Sequence, residues 1–289
     1  MPLSGAIAVI ILLVLITVGF ALVARIVMHA IHHWWTTPIQ PQMQLPMPSV
    51  IGPECLVLAF ADMFVETTDN PPEYLLSYFT AVPTSDKHVI NRKLVEEMLF
   101  ATFAWLSQEG AIQWSIQPRE VDPFSPFPPR DWELHLEPAR AFPRTPLARN
   151  LEVGYRRALK AWLIHKPGDR TASVEEVIEF ALRETRKLMG RAKLQGDVYR
   201  DFICYVQHFL SEQGLYEMHE ETGFLGRRRL IFKPVTERFE EWRHQAQELK
   251  QRMEHFAKDA PQLAEQLRTS VAEGLAAIRQ LEPDRESLF

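Results

Sequence analysis

The chain has 289 residues, of which 46% are hydrophobic and 24% are charged, as in ordinary globular proteins and unlike disordered or fibrous ones. A formal net charge of −5 excludes a polycation of the kind that coats nucleic acid. Only two cysteines occur, which excludes a disulfide framework and a cysteine-rich zinc site. The sequence also lacks the phosphate-binding loop and the common dinucleotide, metalloprotease and serine-hydrolase motifs. Composition therefore favours a protein that is not an enzyme.

The N-terminus carries a predicted transmembrane anchor. Gly5–Ala24 runs twenty residues without a charge, which as a helix spans about 30 Å, the thickness of the bilayer's hydrocarbon core. No charged side chain lies in Met1–Ser4, so a retained anchor is favoured over a cleaved signal peptide. Arg25 on the C-terminal flank predicts that the rest of the chain is cytoplasmic. We assign residues 1–35 to this anchor, with the lipid bilayer as its partner.

Three histidines follow the anchor at helical spacing. His29, His32 and His33 could share one helix face, which is compatible with a metal or haem site, but no acidic or cysteine ligand accompanies them. Interfacial histidines at a helix end are the favoured interpretation, so we predict no metal and no cofactor. Residues 36–53 are free of charge and hold five prolines, which predicts an extended spacer of roughly 50 Å.

The remainder contains an internal repeat. Trp105–Ile112 matches Phe209–Tyr216 at an offset of 104 residues, and each segment closes a helix with apolar periodicity. Gly110 and Gly214 stand where a left-handed residue would end these helices. A strand-like stretch follows each glycine, and a second strand returns and ends at a proline. These second strands are predicted at Trp132–Leu136, before Pro138, and at Arg229–Phe232, before Pro234. A duplication at this spacing indicates two similar domains in tandem.

Two further helices are expected before the third helix of each copy. In the first copy they are the apolar runs Leu56–Val65 and Tyr74–Val82, and the third helix is predicted to begin near Thr84–Asp86. In the second copy they are Leu147–Ile164 and Val174–Met189, and the third helix covers Tyr199–Gln213. The middle helix of the second copy begins with a capping box, Ser173 and Glu176, and is predicted to end at Gly190.

The second copy resembles a known family of regulators. Leu210-Ser-Glu-Gln-Gly-Leu215, then Gly226-Arg-Arg-Arg-Leu230 and a long terminal helix, is similar to the MarR- and PadR-like winged-helix regulators. The resemblance implies that the phrase ends a recognition helix, that the arginines lie on the wing and that the last helix dimerises. We therefore expect a mainly α fold with small β-hairpins, built from one transmembrane helix, two tandem winged-helix domains (54–140 and 141–234) and a long C-terminal helix.

Charge distinguishes the two copies as candidate DNA-binding modules. Residues 36–139 carry 5 basic and 14 acidic residues, a net charge of −9 that phosphates would repel, whereas residues 140–200 carry 14 basic and 7 acidic residues. The candidate nucleic-acid contacts are Arg200, Arg227, Arg228 and Arg229. The third helix of the second copy is largely apolar, so DNA binding is not favoured. The two charged regions could instead pair with each other, face an anionic leaflet or be ordinary solvated surfaces.

Two segments could support protein association. The loop Pro118–Pro129 carries Phe124 and Phe127 among five prolines, which predicts partner docking if these rings are exposed and simple packing if they fold back. The C-terminal segment 235–289 repeats apolar residues at heptad spacing up to a break at Pro261. Packing on a domain and self-association both fit this pattern, and we favour a homodimer through the C-terminal helix.

Together these features predict a single-pass membrane protein with a soluble part on the cytoplasmic side. Its expected function is that of a non-enzymatic adaptor or scaffold that uses tandem winged-helix domains to bind a protein partner. The alternative is a membrane-tethered transcriptional regulator that binds DNA through the second winged helix.

Overall fold

A computed structural model describes residues 51–119, 131–163, 170–189, 198–222 and 228–280, together with residues 23 and 25. Of the predicted anchor and spacer, Val23 and Arg25 are therefore the described residues before position 51, and both are helical. None of the helices within these ranges is long and apolar enough to cross a bilayer. The predicted anchor, Gly5–Ala24, lies almost entirely outside them.

The described chain is mainly helical with small antiparallel sheets, as the sequence predicts. The helices are α1 (Pro53–Ala59), α2 (Ala61–Phe64), α3 (Asn91–Gln108), α4 (Pro146–Leu163), α5 (Val174–Met189), α6 (Val198–Glu212), α7 (Thr236–Phe239), α8 (Arg243–Asp259) and α9 (Pro261–Gln280). The strands are β1 (Thr67–Thr68), β2 (Phe79–Ala81), β3 (His88–Ile90), β4 (Ile112–Pro118), β5 (Trp132–Pro138), β6 (Ala172–Ser173), β7 (Tyr216–Thr222) and β8 (Arg228–Pro234). Short 3-10 helices cover Glu73–Tyr78 and Glu240–Trp242. The strands form three sheets, in the orders β1-β3-β2, β4-β5-β6 and β7-β8.

The internal repeat is also a structural repeat. In each copy a helix ends at a glycine with positive φ, +64° at Gly110 and +72° at Gly214, where a side chain would be strained. The N–H of the next residue then donates to a leucine carbonyl five residues earlier, over 2.8 Å in the first copy and 2.9 Å in the second. Each hairpin also pairs its first residue with the closing proline, Ile112 with Pro138 and Tyr216 with Pro234. Equivalent residues thus occupy equivalent positions from the helix end to the end of the hairpin.

The two copies are not separate bodies in the described structure. Strand β6 lies between α4 and α5 of the second copy, yet it pairs with β5 of the first, His135 with Ser173 and Leu136 with Ala172. Helices α3 and α6 contact each other, and one continuous cluster of buried apolar side chains includes residues from both copies. The predicted domains therefore share a sheet and a core.

The N-terminal part of the first copy departs from the predicted helices. A helix start near Thr84–Asp86 is wrong, because the N–H of Val82 donates to the carbonyl of Lys87 in a turn and β3 follows it. Helix α3 begins only at Asn91. The run Tyr74–Val82 forms a 3-10 helix and a strand instead of an α-helix, since its second half pairs with β3. These pairings between distant segments override the local preference for helix.

The C-terminal heptad seam packs on the chain's own core. Its side chains at Phe239, Ala246, Leu249, Met253 and Phe256 are buried. Helix α8 contacts α1 and α3, and α9 contacts α5 and α3, after the break that the sequence predicts at Pro261. Of the two interpretations of the seam, packing on a domain matches these contacts. The buried seam residues are not available to a second copy of the chain.

Candidate functional surfaces

The predicted nucleic-acid contacts are dispersed over two elements. Arg200 is half-buried in the first turn of α6, whereas Arg228 and Arg229 belong to β8. Arg227, Phe124 and Phe127 lie outside the described residues, as do His29, His32 and His33. Within the described ranges, no group of three or more metal-ligating side chains is placed to hold an ion.

Helix α6, which the resemblance identifies as a recognition helix, is enclosed by other elements. Its neighbours are α1, α3, α4, α5 and the β7–β8 hairpin. Eleven of its fifteen residues are buried, among them Asp201 and His208. The remaining residues are Arg200, Gln207, Ser211 and Glu212. A helix that enters the major groove needs an exposed face of donors and acceptors, so this burial counts against base recognition by α6.

The two strands of the hairpin predicted to be a basic wing carry opposite charges in equal number, and Arg227 lies between them, outside the described residues. Strand β7 holds three glutamates, and β8 holds two arginines and a lysine. The register places Glu221 opposite Arg229 and Glu217 opposite Lys233. Directly opposite residues in antiparallel strands have neighbouring Cβ atoms. Each of these two cationic positions therefore has a glutamate position as its cross-strand neighbour. Strands whose charges balance in this way offer little net attraction to a phosphate backbone.

The largest exposed apolar side chains of the first copy cluster on the 3-10 helix Glu73–Tyr78. Tyr74 is 82% exposed, and Leu76 and Tyr78 are each 49% exposed. We call these three side chains the aromatic ridge. Asn70-Pro-Pro72 precedes the ridge and prevents an α-helix from starting earlier. A 3-10 helix has about three residues per turn, so side chains two positions apart point in different directions. The three exposed groups therefore lie within one short segment and offer apolar contact surface on more than one of its sides.

A buried asparagine holds the aromatic ridge in place. The side-chain amide of Asn91, which is 1% exposed, donates to the carbonyl of Ser77 at 3.0 Å. The hydroxyl of Thr80 donates to the side-chain oxygen of Asn91 at 2.7 Å. Asn91 is the first residue of α3, so the ridge is attached to one of the central helices. Its exposed rings are therefore presented on a supported backbone, which lowers the entropy lost on binding.

A groove of about 510 Å³ lies beside α3, between α2 and α9. Phe64, Val65 and Phe100 contribute apolar surface to it. On its wall Arg268 stacks on the Phe100 ring at 3.7 Å and forms a bidentate ion pair with Glu97, with N–O distances of 2.8 and 3.2 Å. The volume is within the range of small-molecule sites, yet this cation and this carboxylate already satisfy each other. Glu66, Lys93 and Glu96 also line the groove, so its surface combines apolar and charged groups.

A second polar cluster attaches β6 to the first hairpin. Arg119 pairs with Glu133 at 3.0 Å, and Glu133 also contacts His135 at 3.1 Å. His135 in turn lies 3.2 Å from the hydroxyl of Thr171, which precedes β6. The Arg119 and His135 side chains are each 6% exposed, so solvent does not compete for these contacts. The cluster joins the two copies of the repeat. Its buried charges are explained by these contacts between the copies, because each charge has a partner.

The most deeply buried ionisable group is Glu54, which is 0% exposed at the start of α1. Its Oε1 accepts the N–H of Leu147 in the first turn of α4 at 2.9 Å, and its Oε2 accepts from the hydroxyl of Thr102 at 3.4 Å. Burial raises the pKa of this carboxyl, although the Leu147 N–H and the hydroxyls of Thr145 and Thr102 favour its ionised form. A perturbed carboxyl can mark an active site. Here it is fully enclosed and caps a helix, so it serves the fold.

Most of these surfaces could not be predicted from the sequence, although one signal of the aromatic ridge was present. The break at Asn70-Pro-Pro72 was identified, but the exposure of the tyrosines that follow depends on the pairing of β2 with β3. The groove depends on a contact between residues 171 positions apart, Glu97 and Arg268. Both cysteines are buried and free, as their apolar helical surroundings predict.

In comparisons with known proteins, no family model, no curated protein and no solved structure matches this chain.

Proposed function

We propose that this chain is a membrane-anchored, non-enzymatic adaptor that binds a protein partner through the aromatic ridge of its first repeat. The observation that carries the proposal is the joint exposure of Tyr74, Leu76 and Tyr78 on a backbone fixed by Asn91. The proposed anchor is Gly5–Ala24, with the described part of the chain on the cytoplasmic side. The repeat of helix and hairpin is compatible with two tandem winged-helix domains. Such domains can bind proteins as well as nucleic acids.

The chemistry of the ridge defines the kind of partner. Tyrosine supplies a large, stiff contact area with a polar tip and is enriched among the residues that dominate binding energy at interfaces. Exposed carboxylates at Asp69 and Glu73 lie beside the ridge, in a region whose net charge is −9 between residues 36 and 139. We therefore infer a partner with an apolar pocket that accepts the tyrosines and a basic rim around it.

The ridge should lose its partner when its rings are removed. For Tyr74→Ala combined with Tyr78→Ala, we expect affinity for the partner to fall at least about 100-fold, because each truncated anchor costs on the order of 2 kcal/mol. The measurement is titration of the purified full-length variant with the partner that co-purifies with the wild-type chain. Ile116→Ala is the matched control, since Ile116 is 56% exposed on β4, outside the ridge. Equal affinity of the ridge variant and wild type would refute the proposal.

The DNA-binding alternative has less support. The buried face of α6 and the charge balance of the β7–β8 hairpin both count against it. In a gel-shift assay we expect no salt-dependent retardation of a DNA duplex at low ionic strength, where even non-specific binding with a Kd of roughly 10⁻⁶–10⁻⁴ M is strengthened. Retardation that disappears when Arg227, Arg228 and Arg229 are replaced by alanine would establish the regulator instead of the adaptor.

A further inference from the structure

The two repeats differ at the outer edge of the second hairpin strand. In the first repeat, β6 occupies the outer edge of β5 and completes a sheet of three strands. In the second repeat, the equivalent strand β8 has β7 on one side and, among the described residues, no strand on the other. Within the described ranges, the same edge is therefore occupied by a strand in one repeat and has no strand beside it in the other.

The pairing registers identify the open position residue by residue. His135 and Leu136 of β5 pair with β4 at Ser115 and Trp114, and with β6 at Ser173 and Ala172. Ile231 and Phe232 of β8 pair with β7 at His219 and Met218, in the same register. Ile231 and Phe232 are therefore the equivalents of the two residues that bind β6.

We propose that the outer edge of β8 at Ile231 and Phe232 binds an extended, acidic and apolar segment of a protein partner as an antiparallel third strand. The partner segment would take the place that β6 takes in the first repeat. Main-chain hydrogen bonds would provide the affinity, and alternate side chains would provide the specificity. This surface is separate from the aromatic ridge, so the inference does not rest on the proposed function.

The charges of the two edges differ. Glu137 of β5 is replaced by Lys233 at the equivalent position of β8, and Glu133 by Arg229. The strand that binds β5 is preceded by Arg170 and followed by Glu175 and Glu176, so its own charges nearly balance. An added strand lies about 4.8 Å from β8 and about twice that distance from β7, so it is closer to Lys233 than to the glutamates of β7. Carboxylates on the partner would therefore be attracted to this edge.

The alternation of side chains along β8 sets the pattern of the partner segment. Leu230 is buried and Phe232 packs against Tyr216, with ring centroids 6.4 Å apart. Positions 229, 231 and 233 face the opposite side of the hairpin. A segment that alternates an apolar residue with glutamate would extend the apolar face beside Phe232 and place carboxylates beside Lys233. Lys233 and Pro234 also discourage pairing between two copies of this basic edge.

The test uses a short synthetic peptide that alternates glutamate with valine, added to the purified full-length chain. We expect binding to slow amide hydrogen exchange in residues 228–234. Methylation of alternate backbone nitrogens of the peptide, on the side that would bond to β8, should weaken binding at least about tenfold, since this removes strand hydrogen bonds without altering the protein. A peptide with lysine in place of glutamate should bind more weakly than the acidic peptide.

Protein variants complete the test. Lys233→Glu should weaken the acidic peptide about fivefold and strengthen the lysine peptide, whereas Lys250→Glu, an exposed lysine on α8, should change neither. The double variant Tyr74→Ala and Tyr78→Ala should bind the peptide as wild type does, which separates this inference from the adaptor function. Absence of binding, binding unaffected by methylation, or protection at another strand would overturn the proposal.

Discussion

Glu54→Ala is expected to lower the free energy of unfolding by about 3 kcal/mol, whereas Glu54→Gln should leave it within about 1 kcal/mol of wild type near neutral pH. Alanine removes the acceptor of the Leu147 N–H, which is buried and has no route to water, and also leaves a cavity. Glutamine keeps the acceptor at Oε1, and its amide nitrogen can donate to the hydroxyl of Thr102, which itself donates to the carbonyl of Met98. The measurement is urea unfolding followed by tryptophan fluorescence, with Glu254→Ala, on the exposed face of α8, as the control.

The difference between wild type and Glu54→Gln should depend on pH with a definite sign. Burial raises the folded-state pKa of Glu54 above its ordinary value of 4.5. As the pH rises above about 4.5, the unfolded chain releases this proton first, so wild type loses stability until Glu54 ionises in the folded state. Glutamine has no proton to release. The stability of the glutamine variant relative to wild type should therefore increase with pH from about 4.5 upward and then level off. A constant difference between pH 4 and pH 8 would contradict the assignment.

A stability loss in Glu54→Ala would also show that Glu54 stabilises the contact between the two repeats. Glu54 belongs to the first repeat and caps α4, which opens the second, so one side chain connects segments 93 residues apart. Gly52 permits the arrangement, because a Cβ at this position would lie 2.3 Å from Glu54 Oε2 and 2.6 Å from the Cβ of Thr145. A buried acceptor at the end of a helix satisfies an amide that has no partner inside that helix.

Local signals in the sequence predicted the start of α5 and the ends of α3 and α6, whereas the predicted end of α5 at Gly190 lies outside the described residues. The capping box predicted the start of α5, and the Ser173 hydroxyl accepts the N–H of Glu176 at 3.3 Å. The glycines predicted to end α3 and α6 both have positive φ. Each of these features is decided by residues within one or two turns. The preference for starting or ending a helix at these residues is therefore already present in the isolated segment.

Features that depend on distant partners could not be predicted in this way. Strand β6 has only two residues and forms because β5 offers an edge to it. The aromatic ridge is exposed because residues 79–81 pair with β3 instead of extending a helix. The heptad seam predicted an apolar face correctly, but periodicity does not identify what covers that face, and here it is the chain's own α1, α3 and α5. The candidate sites depend on these contacts between segments that are distant in the sequence.

Gly154→Ala is expected to lower the free energy of unfolding by about 3 kcal/mol, opposite in sign to the usual effect of this substitution in a helix. An alanine in place of an exposed helical glycine stabilises by up to about 1 kcal/mol. At position 154, however, the new Cβ would lie 2.3 Å from the carbonyl oxygen of Val177 and 3.0 Å from the backbone nitrogen of Ala181. Both atoms belong to the backbone of α5, so α4 and α5 must separate. Thermal unfolding measured by circular dichroism would detect the loss, and a stabilised variant would contradict this close approach.

Gly274→Ala, in α9, provides the graded comparison at a neighbouring face of α5. Its Cβ would lie 3.1 Å from the Glu175 carbonyl oxygen and 3.1 Å from the Ile178 Cβ, so a smaller displacement suffices and we expect a smaller loss. On α5, Val177 and Ala181 lie about 100° around the helix from Glu175 and Ile178, so α4 and α9 approach neighbouring faces of α5. Moving α5 away from α4 therefore changes its distance from α9 little. The double variant should be destabilised by the sum of the single variants to within about 0.5 kcal/mol, and a larger departure would show that the two contacts are coupled.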